Sequence, residues 1–290
     1  MNFMQKINFL SMLIIALGFG LLGTSCTQSD TDSSTTLALS ATATDEAQAA
    51  GISDDITNEV DNYVTTAAFT NTAAGVKSMF ADTEATGPTI TVDKKDSVNF
   101  PKTIIIDYGT TGISGKRNNT LKGKIIVVVS NKMWISNSTR TITFENFSVN
   151  GNAITGTKVL TFKGLNSDKN PYWTISVNDT TTRTDGTKVI WISERTRVKL
   201  NANGTPYIYW DDNYSITGSS NGVNARGKAY TMVIDDANPL LIGGGYRYFT
   251  KGTLTITSES KTAVIDYGDG TKDNKATVTV NGVSKEITLK

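Results

Sequence analysis

The chain has 290 residues, with 28 Lys+Arg against 27 Asp+Glu, one Cys and no His. The lack of His excludes a Ser-His-Asp triad, a zincin motif and an imidazole base, and a single Cys supports neither an internal disulfide nor a thiolate zinc knuckle. A net charge of +1 argues against a nucleic-acid or anionic-membrane surface held by bulk electrostatics, and the length is enough to bury the core of one large or two small domains.

Residues 1–25 read as an export signal. Lys6 supplies a basic start, the run from Ile7 to Leu22 is mostly apolar and uncharged, and Gly23, Thr24 and Ser25 are small. The run is short for a membrane span, which takes about 20 apolar residues. Leu22-Gly23-Thr24-Ser25-Cys26 resembles the lipobox of bacterial lipoproteins, with Gly23 at the usual Leu position and Leu22 one place earlier. That resemblance implies cleavage between Ser25 and Cys26 and acylation of Cys26, the palmitate-type anchor of an outer-membrane protein. A free thiol in an exported chain is open to oxidation, and acylation removes that hazard. Stable anchoring takes more than one acyl chain.

After Cys26 the composition becomes small, polar and acidic, so residues 26–52 are expected to form a disordered Ser/Thr/Asp tether. A spacer from Thr27 to about Ala43 would hold a domain about 20–25 Å from the membrane on flexible-chain scaling. Acids soon after the Cys also resemble the surface-export signal of Bacteroidota-type lipoproteins, which implies a fold facing outward. Residues 53–88 are expected to hold a short helix and a linker. Ser53 can cap, Asp54 and Asp55 suit a first turn, and Ile56, Val60, Val64 and Ala68 recur at helical spacing to about Thr70. Gly75 and Gly87-Pro88 then break the pattern.

From residue 89 to 290 the period becomes two, and Thr, 45 of the 290 residues, joins Val and Ile as a sheet with one solvated face prefers. The spacing predicts strands over Thr103–Tyr108, Lys122–Ser130, Thr139–Val149, Ala153–Phe162, Tyr172–Thr182, Lys188–Leu200, Tyr207–Thr217, Lys228–Ile234, Thr253–Ser258, Ala263–Tyr267, Ala276–Val280 and Ser284–Leu289. Asn150-Gly151, Asp185-Gly186, Asn203-Gly204, Asn221-Gly222 and Asn281-Gly282 are the dipeptides of tight hairpin turns. Short turns make neighbours antiparallel, so the fold class is mainly β. The hairpin meander is expected to form a sandwich or a rolled sheet with one short N-terminal helix. Trp173, Ile175 and Val177 should face one core, while Ile125–Val129 is apolar on both faces and reads as a strand covered on both sides.

Ile106-Asp107-Tyr108-Gly109 recurs as Ile265-Asp266-Tyr267-Gly268, and Ile154-Thr155-Gly156-Thr157 is echoed by Ile216-Thr217-Gly218-Ser219, so two similar halves remain open. Together with Lys122-Gly123-Lys124-Ile125-Ile126-Val127 and Thr141–Asn150, these motifs resemble a group of uncharacterised Bacteroidota-type surface lipoproteins from about Pro101 to Lys290. The resemblance implies a cell location and no mechanism. Where members of the group carry loop cysteines this chain has Ser114, Gly244 and Lys272, so it implies none of their disulfides here.

Aromatic residues are the leading candidates for binding. Tyr207, Tyr209, Trp210, Tyr246 and Tyr248, with Phe249, cluster in two short stretches, and Trp134 and Trp191 lie in or beside strands. Rings on an open sheet face stack on sugars and favour interfaces, and the competing reading is half-buried core. Asp107 and Asp266 read as turn-capping carboxylates rather than calcium ligands, and Asp266, Asp269 and Asp273 lack the EF-hand spacing. Asp179-Thr180-Thr181 and Asp96-Ser97-Val98 resemble O-glycosylation acceptors. The residues call for no cofactor and no metal, and carry no recognisable catalytic motif. The chain is therefore expected to be a lipid-anchored, surface-exposed structural or binding module with a glycan or surface protein as partner. The alternatives are a glycoside hydrolase built on Glu145, Glu194, Asp211 or Asp212, and a periplasmic hydrophobe carrier with an apolar cavity.

Overall fold

The computed structural model describes residues 28–69, 87–94, 98–115, 118–200, 212–244, 246 and 248–289. The signal, Ser25, Cys26, the Asn203-Gly204 turn, Tyr207, Tyr209, Trp210 and Asp211 lie outside them, as does Ser97.

A single helix, α1 (Gln28–Phe69), precedes the sheet. It is 42 residues long, about 63 Å at the usual rise. The helix is thus not short, and Gln28 to Ile52 is not a disordered tether. The local composition points to a solvated chain because Thr, Ser and Asp compete with the backbone for hydrogen bonds. In α1 that competition is absorbed: the hydroxyls of Thr42, Thr44 and Thr57 donate back to the carbonyls of Ala38, Ser40 and Ser53 at 2.9–3.1 Å. Asp45 and Glu46 are bound by Arg183 and Arg195, and Asp55 and Asp61 by Asn119 and Arg140, all more than sixty positions away, a cause no local window contains.

Fifteen antiparallel strands form one sheet. They are β1 (Thr89–Val92), β2 (Lys102–Asp107), β3 (Ile113–Ser114), β4 (Thr120–Val129), β5 (Thr139–Val149), β6 (Asn152–Leu165), β7 (Pro171–Thr182) and β8 (Lys188–Leu200), then β9 (Asn213–Val223), β10 (Ala229–Ile234), β11 (Leu240–Ile242), β12 (Lys251–Ser258), β13 (Lys261–Asp269), β14 (Lys275–Val280) and β15 (Val283–Thr288). Sequence neighbours pair throughout, except that β3 folds back on β4 while β11 bridges β9 and β12. The meander is therefore as expected, and the sheet is rolled rather than split into a sandwich. α1 touches β12, β13 and β14 but also both edge strands, β1 and β15, so the sheet wraps around it. Asp55 through Asp61, nearly two turns covering every side of the helix, are all buried.

The sheet rolls with a stagger. Lys261 at the β12–β13 turn reaches Thr35, Arg226 at the β9–β10 turn reaches Thr42, Arg183 at the β7–β8 turn reaches Asp45, and Asn119 before β4 reaches Asp55. Successive hairpins on this rim climb the helix, as strand tilt requires of a closing sheet. This rim faces the N-terminal part of α1. The loops before β5, β7 and β12 leave the opposite rim.

Inward alternation gives the apolar core. Ile104, Ile106, Ile125, Val127, Ile142, Met232, Ile256 and Val278 meet Ile56, Val60 and Val64 of α1, all nearly or wholly buried. Trp173, Ile175 and Val177 point inward as the alternation predicts. β4 differs from expectation: Val128 is 37% exposed and Ile126 is half-buried, so only its inner face is covered. β-branched side chains favour a strand on either face, which makes the outer pair look like core.

Asn150-Gly151 and Asn281-Gly282 form tight turns with φ of 51° and 81°, and 50° and 78°. Asn221-Gly222 does not turn; both residues lie inside β9, paired with Ile192 and Trp191. The chain reverses instead at Asn224–Lys228. Gly222 is required there by proximity, because a Cβ would sit 1.9 Å from the Ile190 carbonyl oxygen. Gly222→Ala is expected to lower stability by about 1–3 kcal/mol as β8 and β9 are forced apart. An unchanged urea midpoint would show that the pair separates at no cost.

The two repeated motifs have matching geometry. Asp107 and Asp266 each accept the N–H of the Gly two residues on, at 2.8 Å. Gly156 and Gly218 each carry a large positive φ beside a neighbouring strand's carbonyl. Their order is inverted, Asp107 before Gly156 but Gly218 before Asp266, an order that a tandem copy does not produce.

Candidate functional site

The concave face of the sheet is occupied by α1, held by its apolar contacts and by buried charge. Glu46 is 1% exposed and accepts four bonds at 2.8–2.9 Å, from Trp191 Nε1, Arg195, the Ser220 hydroxyl and the Tyr230 hydroxyl. Burial, and then the Glu46 charge, push the Tyr230 phenol far above its ordinary value. Asp45 binds Arg183 at 2.6 Å and the Ala225 N–H at 2.9 Å, and Asp61 binds Arg140. Asp55 accepts from Asn119 at 2.8 Å. Tyr108 donates to Glu59 at 3.1 Å, and burial raises its phenol as well. Lys158 of β6 is fully buried and donates to the Ser53 carbonyl, the Ser53 hydroxyl and the Thr57 hydroxyl. Trp191 therefore belongs to the helix clamp and not to an external surface. Where a carrier would keep an apolar cavity, the concave face here holds a helix whose Asp45, Glu46 and Asp61 are paired with Arg183, Arg195 and Arg140.

Glu145 and Glu194, two of the described acids proposed for hydrolysis, are not brought together. Glu145 pairs with Lys124 across β4 and β5, and Glu194 accepts from Ser176 across β7 and β8. Three strand spacings separate β5 from β8, about 14 Å, beyond the reach of a glycosidase pair. Asp212 is buried against Lys199 at 2.7 Å. Asp269 and Asp273 each accept the N–H two residues on, at 3.1 and 3.0 Å. No group of acids able to hold a metal occurs among the described residues. The Asp179 carboxylate is buried, with Thr180 paired in mid-strand between buried neighbours; the tripeptide is not an open acceptor loop.

The aromatic rim lies at the end away from the N-terminus of α1. The β4–β5 loop places Trp134 over two inward rings, Phe162 of β6 and Trp173 of β7. Trp134 meets Phe162 edge-on at 5.4 Å and 89°, and lies 6.4 Å from Trp173. Phe162 and Trp173 are themselves 5.5 Å apart. The loop is held by bonds from the Asn137 N–H to the Phe162 carbonyl and from the Ser138 hydroxyl to the Met133 carbonyl. Phe162 and Trp173 are buried, whereas Trp134 is 42%, Ile135 48% and Leu165 61% exposed. Edge-to-face rings of this kind hold one another in place and leave a fixed, half-open indole.

Tyr246 and Tyr248 are brought together on the same rim, ring centroids 6.0 Å apart at 74°. Both are half-buried. Desolvation, then the charges of Asp273 and Tyr248, raise the Tyr246 phenol. Phe249 below them is buried against Tyr267 at 5.2 Å. The register Trp173–Arg197–Ile216–Leu240 runs directly across the sheet from the Trp134 cluster to this pair. Three strand spacings, about 14 Å of sheet, separate Trp173 from Leu240 along this register. Leu200 and Asn213, which bracket the segment carrying Tyr207, Tyr209 and Trp210, pair between them. The sequence marks Trp134 as an aromatic in or beside a strand, but not its contacts with Phe162 and Trp173, because the three rings come from three separated segments. The signal available was Trp134-Ile135, two large apolar residues in a loop otherwise rich in Asn and Ser.

Among the described residues no helix is long and apolar enough to cross a membrane. Set against family models, curated proteins and solved structures, the chain matches none, so its function is argued from the residues above.

Proposed function

We propose that the protein is an exported lipoprotein, cleaved after Ser25 and acylated at Cys26, whose rolled sheet presents an aromatic rim to a glycan or a surface protein. The anchor rests on the lipobox-like Leu22–Cys26 and the apolar run before it. The outward, cell-surface address rests on the acids after Cys26 and on the resemblance to Bacteroidota-type surface lipoproteins. The binding role is carried by one observation: Trp134 is half exposed, braced by Phe162 and Trp173, at the rim away from the helix end that adjoins Cys26. A ring already fixed in place loses little freedom on stacking against a sugar or a partner side chain.

Screening the full chain on glycan and host-protein arrays should give hits that weaken at least tenfold in Trp134→Ala. Tyr246→Ala should weaken them where the ligand spans the rim. Hits indifferent to both substitutions would place binding elsewhere. The anchor is tested separately, since labelled palmitate should mark the protein and fail to mark Cys26→Ser.

A further inference from the structure

The rim facing the N-terminal part of α1 carries a cleft of a different chemistry. Ser34, Thr35, Ala38, Leu39 and Thr42 of α1 form one wall of a cavity of about 270 Å³, and the turns after β9 and β12 form the other. That second wall carries Arg226, Lys228 and Lys261 beside Asn224, Ser258 and Glu259. Arg226 donates through Nη2 to the Ala38 carbonyl and, at 3.0 Å, to the Thr42 hydroxyl. Lys261 donates to the Thr35 hydroxyl at 2.7 Å. Lys228 pairs with Glu259 at 2.6 Å. Arg226 and Lys261 thus bond to neutral acceptors, and the single Glu259 carboxylate faces three cations. A hydrogen bond and charge from Lys228, with lesser charge from Lys261 and Arg226, hold Glu259 below the usual carboxylate range. Among the described lining residues three cations face one carboxylate, and each bond to the helix uses only part of the donor set of Arg226 or Lys261.

We propose that this cleft binds the phosphate of an anionic phospholipid headgroup in the leaflet that holds the acylated Cys26. A guanidinium and an ammonium beside a cavity of this size match a phosphodiester in charge and donor geometry. The wall formed by α1 begins at Ser34, a short stretch of chain after Cys26, so the anchor delivers the cleft to headgroup level. Basic residues near a membrane surface are drawn to anionic lipid. The choice of a lipid rests on the anchoring reading, while the charge and shape of the cleft do not.

The test uses the acylated protein extracted into an uncharged detergent, titrated calorimetrically with dihexanoyl phosphatidylglycerol, with inorganic phosphate and with an uncharged diacylglycerol. Saturable binding of phosphatidylglycerol is expected, at least tenfold tighter than inorganic phosphate, and none of diacylglycerol. The Arg226→Gln, Lys261→Gln double variant should bind at least tenfold more weakly. Because both side chains also hold the helix, Glu259→Gln provides the second arm. It touches only an exposed pair and should tighten binding severalfold with an unchanged melting temperature. Loss of saturable binding in the unmodified protein, or affinity unmoved by either variant, overturns the proposal. Inorganic phosphate binding as tightly as the lipid overturns the lipid assignment. Palmitate labelling of Cys26 and glycan binding at Trp134 are read independently, so failure here is distinguishable from failure of the proposed function.

Discussion

Glu46→Ala is expected to lower the free energy of unfolding by about 3–5 kcal/mol, the cost of breaking a buried ion pair by removing one partner. The loss is not confined to one bond. Arg195 is left buried without its 2.8 Å partner, and Trp191, Ser220 and Tyr230 lose their shared acceptor. These four donors come from β8, β9 and β10, so the substitution loosens the helix from three adjacent strands at once. For a chain of this length each kcal/mol moves the melting temperature by about 2–4 °C, and a fall of roughly 10 °C is expected. Adding Arg195→Met to Glu46→Ala should restore part of the loss, because the stranded cation is then gone. If the double variant is no more stable than Glu46→Ala, the pair does not couple helix to sheet and the clamp lies elsewhere.

Lys158 is the second large effect, and it appears as a dependence on pH. Burial pushes its ammonium down from 10.5 to about 8, against the pull of Asp54 and Asp179. Between pH 8 and 10.5 the unfolded chain therefore holds a proton that the folded chain has released, so this residue's contribution to stability rises with pH across that window. Asp179, raised to about 6 by burial against the attraction of Lys158, has the opposite sign. Its folded form keeps a proton that the unfolded form has lost between pH 3.8 and 6, and stability falls as pH climbs through that range. Lys158→Met removes the upper window. The stability of the unmodified protein minus that of the variant should increase by about 2–3 kcal/mol from pH 8 to pH 10, at up to ~1.4 kcal/mol per pH unit. Urea titrations of both proteins at pH 7, 8, 9 and 10 measure it. A flat difference would mean that Lys158 titrates alike folded and unfolded.

The strands were legible where one face meets water and the other meets core. Thr139–Val149 and Lys188–Leu200 stand in the structure with the bounds that alternation predicts, because period-two patterning and strand geometry are the same fact. Legibility failed where a residue's reason lies across the sheet. Asn221-Gly222 has turn chemistry, but its Gly answers to the Ile190 carbonyl. Thr42, Asp45 and Glu46 have spacer chemistry, but they answer to Asn224, Arg183 and Arg195. As far as Ser53 the helix lacks a continuous apolar stripe, since its buried positions include Thr42, Asp45, Glu46 and Ser53, whereas Ile56, Val60 and Val64 keep the helical spacing. The site divides in the same way. Tyr246 and Tyr248 are near in sequence and were found there. Trp134, Phe162 and Trp173 meet only once β5, β6 and β7 are in register.

The climb of the hairpin turns along α1 has a mechanical consequence. Thr35, Thr42, Asp45 and Asp55 are each gripped by a different loop, and Asp61 by Arg140 further on. A tug applied at the amino end of the helix along its axis therefore loads every one of these grips in parallel, like a rivet row under shear, rather than peeling them one after another. Drag on the body would be shared across the full width of the sheet before any single contact gave way.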